Sequence, residues 1–270
     1  MKRNLKKGIW YASSPGKTVL EKFQAAKAAG FDGIEPHSHL DQDEVLRARD
    51  ATGLAIASVS NGQSSWRGLS DPDAAKRAEA VEGLKQALRD AKRYGASSVL
   101  VVPGSVSDEI PYATAYPRVQ DTLRQAVPLA EELGVKLACE NVWNHFLLSP
   151  LEAARFVDEF HSPAVAWHFD VGNAIYLGWP EQWIRILGKR IHKLHIKEYS
   201  RKKMGEKGLV AGFAVEYLEG DNDWPAVMKA LDEIGYQGWA TAEPAWTPKG
   251  VDPAERLSQI SGKLDQILAL

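Results

Sequence analysis

Four residues of this sequence could do chemistry together: Glu140, Asp170, His195 and Glu243. Each lies in or ends a short apolar run: Val-Lys-Leu-Ala-Cys-Glu140, Val-Ala-Trp-His-Phe-Asp170, Ile-His-Lys-Leu-His195-Ile-Lys and Gly-Trp-Ala-Thr-Ala-Glu243. Three carboxylates converging in a partly buried site repel one another and drive their pKa values upward unless something offsets them. One divalent cation does so. Three carboxylate donors and one imidazole suit Mn2+ first, with Mg2+, Co2+ or Zn2+ as alternatives, and four protein ligands leave positions open for a substrate that chelates through two oxygens. Taken singly, each residue has a plainer reading. A strand-end carboxylate often caps the next helix or pairs with a base, and a strand histidine is often a satisfied core residue. Four such residues in four successive strands favour a shared ion, because unpaired buried charge is expensive.

The elements that must position them alternate along the chain. Apolar runs at Gly8–Ala12, Gly33–Pro36, Ala55–Ser58, Ser98–Val102, Val135–Glu140, Val165–Asp170, Ile191–Lys197 and Gly238–Glu243 predict eight strands. Helical stretches follow each. Val19, Leu20, Phe23 and Ala26 recur as one helix face. Thr18 and Asp41 stand three residues before Glu21 and Glu44, as in a capping box, and Ser149-Pro150 and Asp252-Pro253 place proline at a first helical position. Gly30, Gly53, Gly95, Gly134 and Gly235 close helices before strands. Eight strand–helix units predict an α/β fold, a single (β/α)8 TIM barrel spanning residues 1–270 as one domain. The absence of a GxGxxG turn after the first strand disfavours a dinucleotide-binding sheet. In such a barrel the active site lies at the C-terminal strand ends, where the four residues fall. The aperiodic stretch from Tyr199 to Asp223 is expected to be a loop or lid over the mouth.

Composition narrows the function classes. The 270 residues carry a formal net charge of -2, which disfavours nucleic-acid and anionic-membrane partners. A single cysteine, Cys139, allows no internal disulfide, and the basic N-terminus is followed by no apolar segment of a signal peptide. No apolar run is long enough to span a bilayer, so a soluble cytoplasmic protein is the expectation.

The segments Glu140-Asn-Val-Trp-Asn, His168-Phe-Asp-Val-Gly-Asn173, Lys193-Leu-His-Ile-Lys197 and Thr241-Ala-Glu-Pro resemble the sugar phosphate isomerase/epimerase family, the xylose isomerase-like barrels that include D-tagatose 3-epimerases and L-xylulose-5-phosphate 3-epimerases. Gly30-Phe-Asp-Gly-Ile-Glu35 resembles the family's second-strand segment, and Leu218-Glu-Gly-Asp-Asn-Asp-Trp224 its turn before the penultimate helix. The resemblance implies metal ligation by Glu140, Asp170, His195 and Glu243, with Glu140 and Glu243 as catalytic acid/bases. It also implies a substrate-contacting arginine six residues after the ligand histidine, where Arg201 stands, and a homo-oligomer, dimer or tetramer. Free-ketose 3-epimerases carry Asp-x-x-His where this chain has Asp170-Val-Gly-Asn173, which resembles the sugar-phosphate branch.

The chemistry expected from both lines is deprotonation and reprotonation of a carbon beside a ketose carbonyl, through a metal-bound enediolate. Two glutamates on opposite faces give an epimerase; transfer on one face gives an aldose–ketose isomerase. Asn173, Lys197, Glu35, His37 and Trp143 join Arg201 as candidate contacts to a sugar or sugar phosphate, with Trp10, Trp66 and Trp179 as further aromatics near strand ends. Lys197 could instead pair with a carboxylate, and His37 could belong to a surface loop. Rival readings on the same scaffold are a hydroxypyruvate-type isomerase and an inosose dehydratase-like lyase. A DNA-repair endonuclease would need many more histidines and a basic groove, and a non-catalytic sugar-binding protein would not need both glutamates.

Overall fold

The computed structural model describes residues 4–61, 68–245, 247–248 and 250–270. Trp66 lies outside them. The predicted runs are strands, but nine rather than eight: β1 Leu5–Trp10, β2 Gly33–Glu35, β3 Ala55–Ile56, β4 Val59–Ser60, β5 Ser98–Val101, β6 Lys136–Glu140, β7 Val165–Asp170, β8 Ile191–Ile196 and β9 Gly238–Ala242. All pair in parallel in the order β3-β2-β1-β9-β8-β7-β6-β5-β4. The outermost strands are β3, the first half of the third predicted run Ala55–Ser58, and β4, which begins just past its end, with Ala57 and Ser58 between them. The sheet therefore curls until its edges meet in one stretch of chain. Ser60 N donates to Pro36 O on one side while Val59 stands in register with Val99 on the other. The barrel is nearly closed, and the break lies where one strand changes neighbours.

Most strand ends fall within a residue of expectation, but β1 and one helix face differ more. β1 starts at Leu5, not Gly8, because Lys6 and Lys7 pair with Trp239 and Ala240 and the Lys7 ammonium meets Ser261 and Asp265. Their charge hid the strand start, and Tyr11–Ser13 is a 3-10 turn. Leu20 was expected on the buried face of Val19–Ala28, yet it is exposed while Val19, Phe23 and Ala26 are buried. It lies about 100° round the axis from Val19, at the edge of the apolar stripe. The helix-start signals hold: Thr18 and Glu21 form a reciprocal capping box, and Asp41, Ser149 and Asp252 each accept a first-turn backbone N–H. Gly53 and Gly134 end their helices at φ 68° and 65°, conformations that cost other residues more.

The apolar faces of strands and helices, among them Phe23, Leu84, Leu88, Phe156, Trp167, Phe169 and Leu194, pack into one core. Inside the barrel, adjacent glycines make room for bulk from β9. A Cβ on Gly8 would lie 2.6 Å from Thr241 Oγ1, and one on Gly33 would lie 2.6 Å from the Trp239 ring and 2.7 Å from Ala55 O. Because backbone is one of the obstacles, Gly33→Ala should destabilise by about 1–3 kcal/mol, read as a lower urea midpoint. An unchanged midpoint would mean that the Trp239 ring moves freely. Among the described residues, no helix is long and apolar enough to cross a membrane.

The stretch from Tyr199 to Asp223, expected to be a loop, contains the helix Arg201–Lys207 and the 3-10 turn Leu209–Phe213. Buried Glu198 anchors it, accepting hydrogen bonds from Leu218 N, Asn222 Nδ2 and Trp224 Nε1 at 2.8–2.9 Å.

Candidate metal and active site

Parallel register brings the four candidate ligands to one height. Glu140 closes β6, Asp170 closes β7 opposite His195 of β8, and Glu243 follows β9 with its N–H donated to Ile196 O. One ligand-type atom from each of Glu140, Asp170, His195 and Glu243 lies within 4.8 Å of the others. His195 Nδ1 is 2.8 Å from Glu140 Oε1, 3.3 Å from Glu243 Oε2 and 3.9 Å from Asp170 Oδ2. Asp170 does two jobs: its Oδ1 accepts the Asn173 N–H at 2.7 Å, capping the helix Val171–Leu177, while Oδ2 faces the cluster.

Charge in this site is unbalanced. Four carboxylates, with Glu35 as the fourth, face one imidazole and two ammonium groups, Lys197 beside Asp170 and Glu243 and buried Lys193 on the side of Glu35. Lys197 Nζ stands 2.9 Å from Asp170 Oδ2 and 2.5 Å from Glu243 Oε2, yet neither oxygen receives a well-directed hydrogen bond. Burial pushes the Glu140 carboxyl up, only partly countered by His195. Burial likewise lifts Asp170 to about 7, against the pull of Lys197. Glu243 escapes that trend because Lys197 and His195 outweigh its burial and hold it below the usual carboxylate range. His195 is raised well above an ordinary imidazole: burial opposes its charge, but Glu35, Glu243 and Glu140 prevail. Excess negative charge, buried oxygens lacking directed donors and a mixed oxygen–imidazole set fit a divalent cation.

Glu140, His195 and Glu243 of the cluster lie on the floor of a cavity of about 370 Å3, with Asp170 fully buried behind them. Glu140, His195, Lys197, Glu243, Asn173, His37 and Trp143 line it, along with Trp10. His37 is half-buried, edge-on to Trp10 and Tyr11, so it belongs to the cavity wall rather than a free loop. Trp143 stacks on Phe213 at 4.6 Å and donates through Nε1 to Asn173 O. Besides Asp170, three sequence candidates lie outside the lining. Glu35 is fully buried beneath His195 and does not line the cavity. Arg201 donates to the carbonyls of Ile175 and Gly178 and lies over the Trp179 ring, outside the lining. Trp179 itself is 57 % exposed.

Sequence reasoning passed over His168 and Phe213. His168 precedes Asp170 by two, so strand alternation turns it inward too, and its ring meets His195 edge-on at 4.1 Å. That signal was available. Phe213 sits in an aperiodic stretch, and nothing local marked it.

Known proteins share this architecture. The xylose isomerase-like TIM barrel family matches residues 23–263. The chain is 24% identical to L-ribulose-5-phosphate 3-epimerase of Escherichia coli O1:K1 / APEC, over 93% of this chain and 91% of that protein. It is 25% identical to inosose dehydratase of Geobacillus thermodenitrificans, over 84% and 82% of the two chains. The solved structure of an L-ribulose 3-epimerase superposes with a TM-score of 0.82 at 20% identity, covering 98% of this chain and 95% of that one, a likeness of fold. With nearly the whole barrel matched, the chain belongs to the xylose isomerase-like TIM barrel family.

Proposed function

We propose that the chain is a metal-dependent epimerase or isomerase of a keto sugar or keto-sugar phosphate, with Glu140 and Glu243 as its acid/base pair. The observation that carries this reading is the approach of both glutamates to one small cavity from strands separated by two others, each with an oxygen within 4.8 Å of the other. A divalent cation held by Glu140, Asp170, His195 and Glu243 would polarise the substrate carbonyl and acidify the neighbouring C–H.

The chain's own groups do the rest. One glutamate takes the proton from the carbon beside the carbonyl, and the other returns a proton to the opposite face. Lys197 Nζ and the Asn173 amide are donors for substrate oxygens, and His37 faces the cavity near Trp10. Trp10, Trp143 and Phe213 offer apolar surface to the C–H face of a sugar and restrict water around the reacting carbon. Glu35 and Arg201 are left out of these contacts, since neither lines the cavity. The similarity to a 3-epimerase along nearly the whole chain favours epimerisation, and that to inosose dehydratase keeps water elimination as a second reading.

The test is to strip the protein with a chelator, restore Mn2+, and incubate it in D2O with ketoses, ketose phosphates and an inosose while recording NMR spectra. Deuterium at C3 with a new ketose epimer is the expected result. An aldose product would make the enzyme an aldose–ketose isomerase, and loss of water from an inosose would make it a dehydratase. Bound metal with no exchange into any of these substrates would overturn the proposal.

A further inference from the structure

His195 is held from two sides, and only one side faces the cavity. Its Nδ1 points to Glu140, Glu243 and Asp170, while its Nε2 lies 3.1 Å from Glu35 Oε1. Glu35 comes from β2, 160 residues away in sequence, and its side chain crosses the barrel interior with no exposure to solvent. Its other oxygen accepts the hydroxyl of buried Ser58, in the break between β3 and β4. An ionised carboxylate only accepts hydrogen bonds, so both its partners must be donors.

From this geometry we infer that Glu35, seated by Ser58, is a positioning residue that keeps the proton of His195 on Nε2 and turns the Nδ1 lone pair toward the carboxylate cluster. The inference rests on the reading of His195 as a metal ligand. With a cation in place of the Nδ1 proton the imidazole is neutral, with one donor and one ligating nitrogen, so fixing the donor fixes the other. A carboxylate behind a ligand histidine also makes it a stronger donor to a metal, and loss of such a partner typically costs about 10–100-fold in affinity. His168 closes the remaining side of the ring at 4.1 Å, and neither of its nitrogens has a hydrogen-bond partner. The break in the third strand thereby gains a role, since it carries the hydroxyl that orients Glu35.

The experiment measures Mn2+ affinity directly, from the EPR signal of free Mn2+, for the wild type, Glu35→Gln, Glu35→Ala, Ser58→Ala and Asp170→Asn. Thermal melts verify folding. Glutamine keeps an acceptor but loses the charge, so about 10-fold weaker binding is expected for it and about 100-fold for alanine, with Ser58→Ala shifted less in the same direction. Long-range 1H–15N spectra of the Mg2+-loaded protein should show His195 protonated on Nε2, and that Nε2–H signal should shift in Glu35→Gln, where a neutral amide replaces the carboxylate acceptor, a change that a merely space-filling Glu35 would not produce. If Glu35→Ala does not fold, the glutamine variant and the spectrum decide. Wild-type affinity in folded Glu35 variants, or a proton on Nδ1, would overturn the inference. If Asp170→Asn also binds like the wild type, Asp170 alone leaves the ligand set; if the wild type binds no ion, the metal-site reading falls as well.

Discussion

Glu140→Gln and Glu243→Gln should each lower kcat by about 10^2–10^4-fold at saturating Mn2+, the range that one positioned acid/base group contributes. Both substitutions keep size and shape, and Glu243 is only partly buried, so the melting temperature should change little. The isotope pattern is the sharper readout. In a two-glutamate scheme, removing one partner blocks transfer on one face and leaves the other able to exchange. Each variant should therefore wash deuterium into one epimer of the substrate pair while failing to interconvert the two, and the competent epimer should differ between the variants. Loss of both exchange and epimerisation in both variants would assign the glutamates to metal binding alone. Full activity in either would remove it from the proton path.

How much of this was legible in the sequence depended on distance along the chain. Strand–helix alternation, glycine helix ends and capping residues are local, and they yielded the barrel. The four cluster residues were legible because parallel strands of similar length end at one rim, so strand-end position stands in for three-dimensional proximity. Where side chains from distant strands meet inside the barrel, that proxy fails. Glu35 ends β2 and on that logic belonged in the mouth, but its carboxyl is turned under His195. Strand alternation says which side of a strand a residue faces, not whether its head reaches up to a ligand or down to a neighbour. Arg201 illustrates another limit. Its offset from His195 matched a family position, yet a guanidinium goes where acceptors are, and here the carbonyls of Ile175 and Gly178 are within reach. The long stretch after Tyr199 hid its short helices because buried Glu198, rather than an apolar period, organises its end.

Removing metal should have the second large effect, and it separates the roles of the cluster. Chelation should take turnover to background, and Mn2+ should restore it. It should also destabilise the fold, because an ion that binds only the folded state stabilises by about 4 kcal/mol when present at about 1,000 times its Kd. For a chain of this size that corresponds to a melting temperature lower by roughly 10 °C. Asp170→Asn is the informative variant. Asparagine retains an oxygen for the Asn173 N–H, so the cap on Val171–Leu177 survives, whereas alanine would add a capping loss of about 1 kcal/mol. It deletes the charge facing Lys197 and His195. The expected result is a folded protein whose metal content by elemental analysis drops well below one ion per chain and whose melting temperature no longer responds to Mn2+. If this variant keeps a full complement of metal and the wild-type thermal shift, Asp170 is only a helix cap and an ion-pair partner of Lys197. The cation would then be held by Glu140, His195 and Glu243 alone.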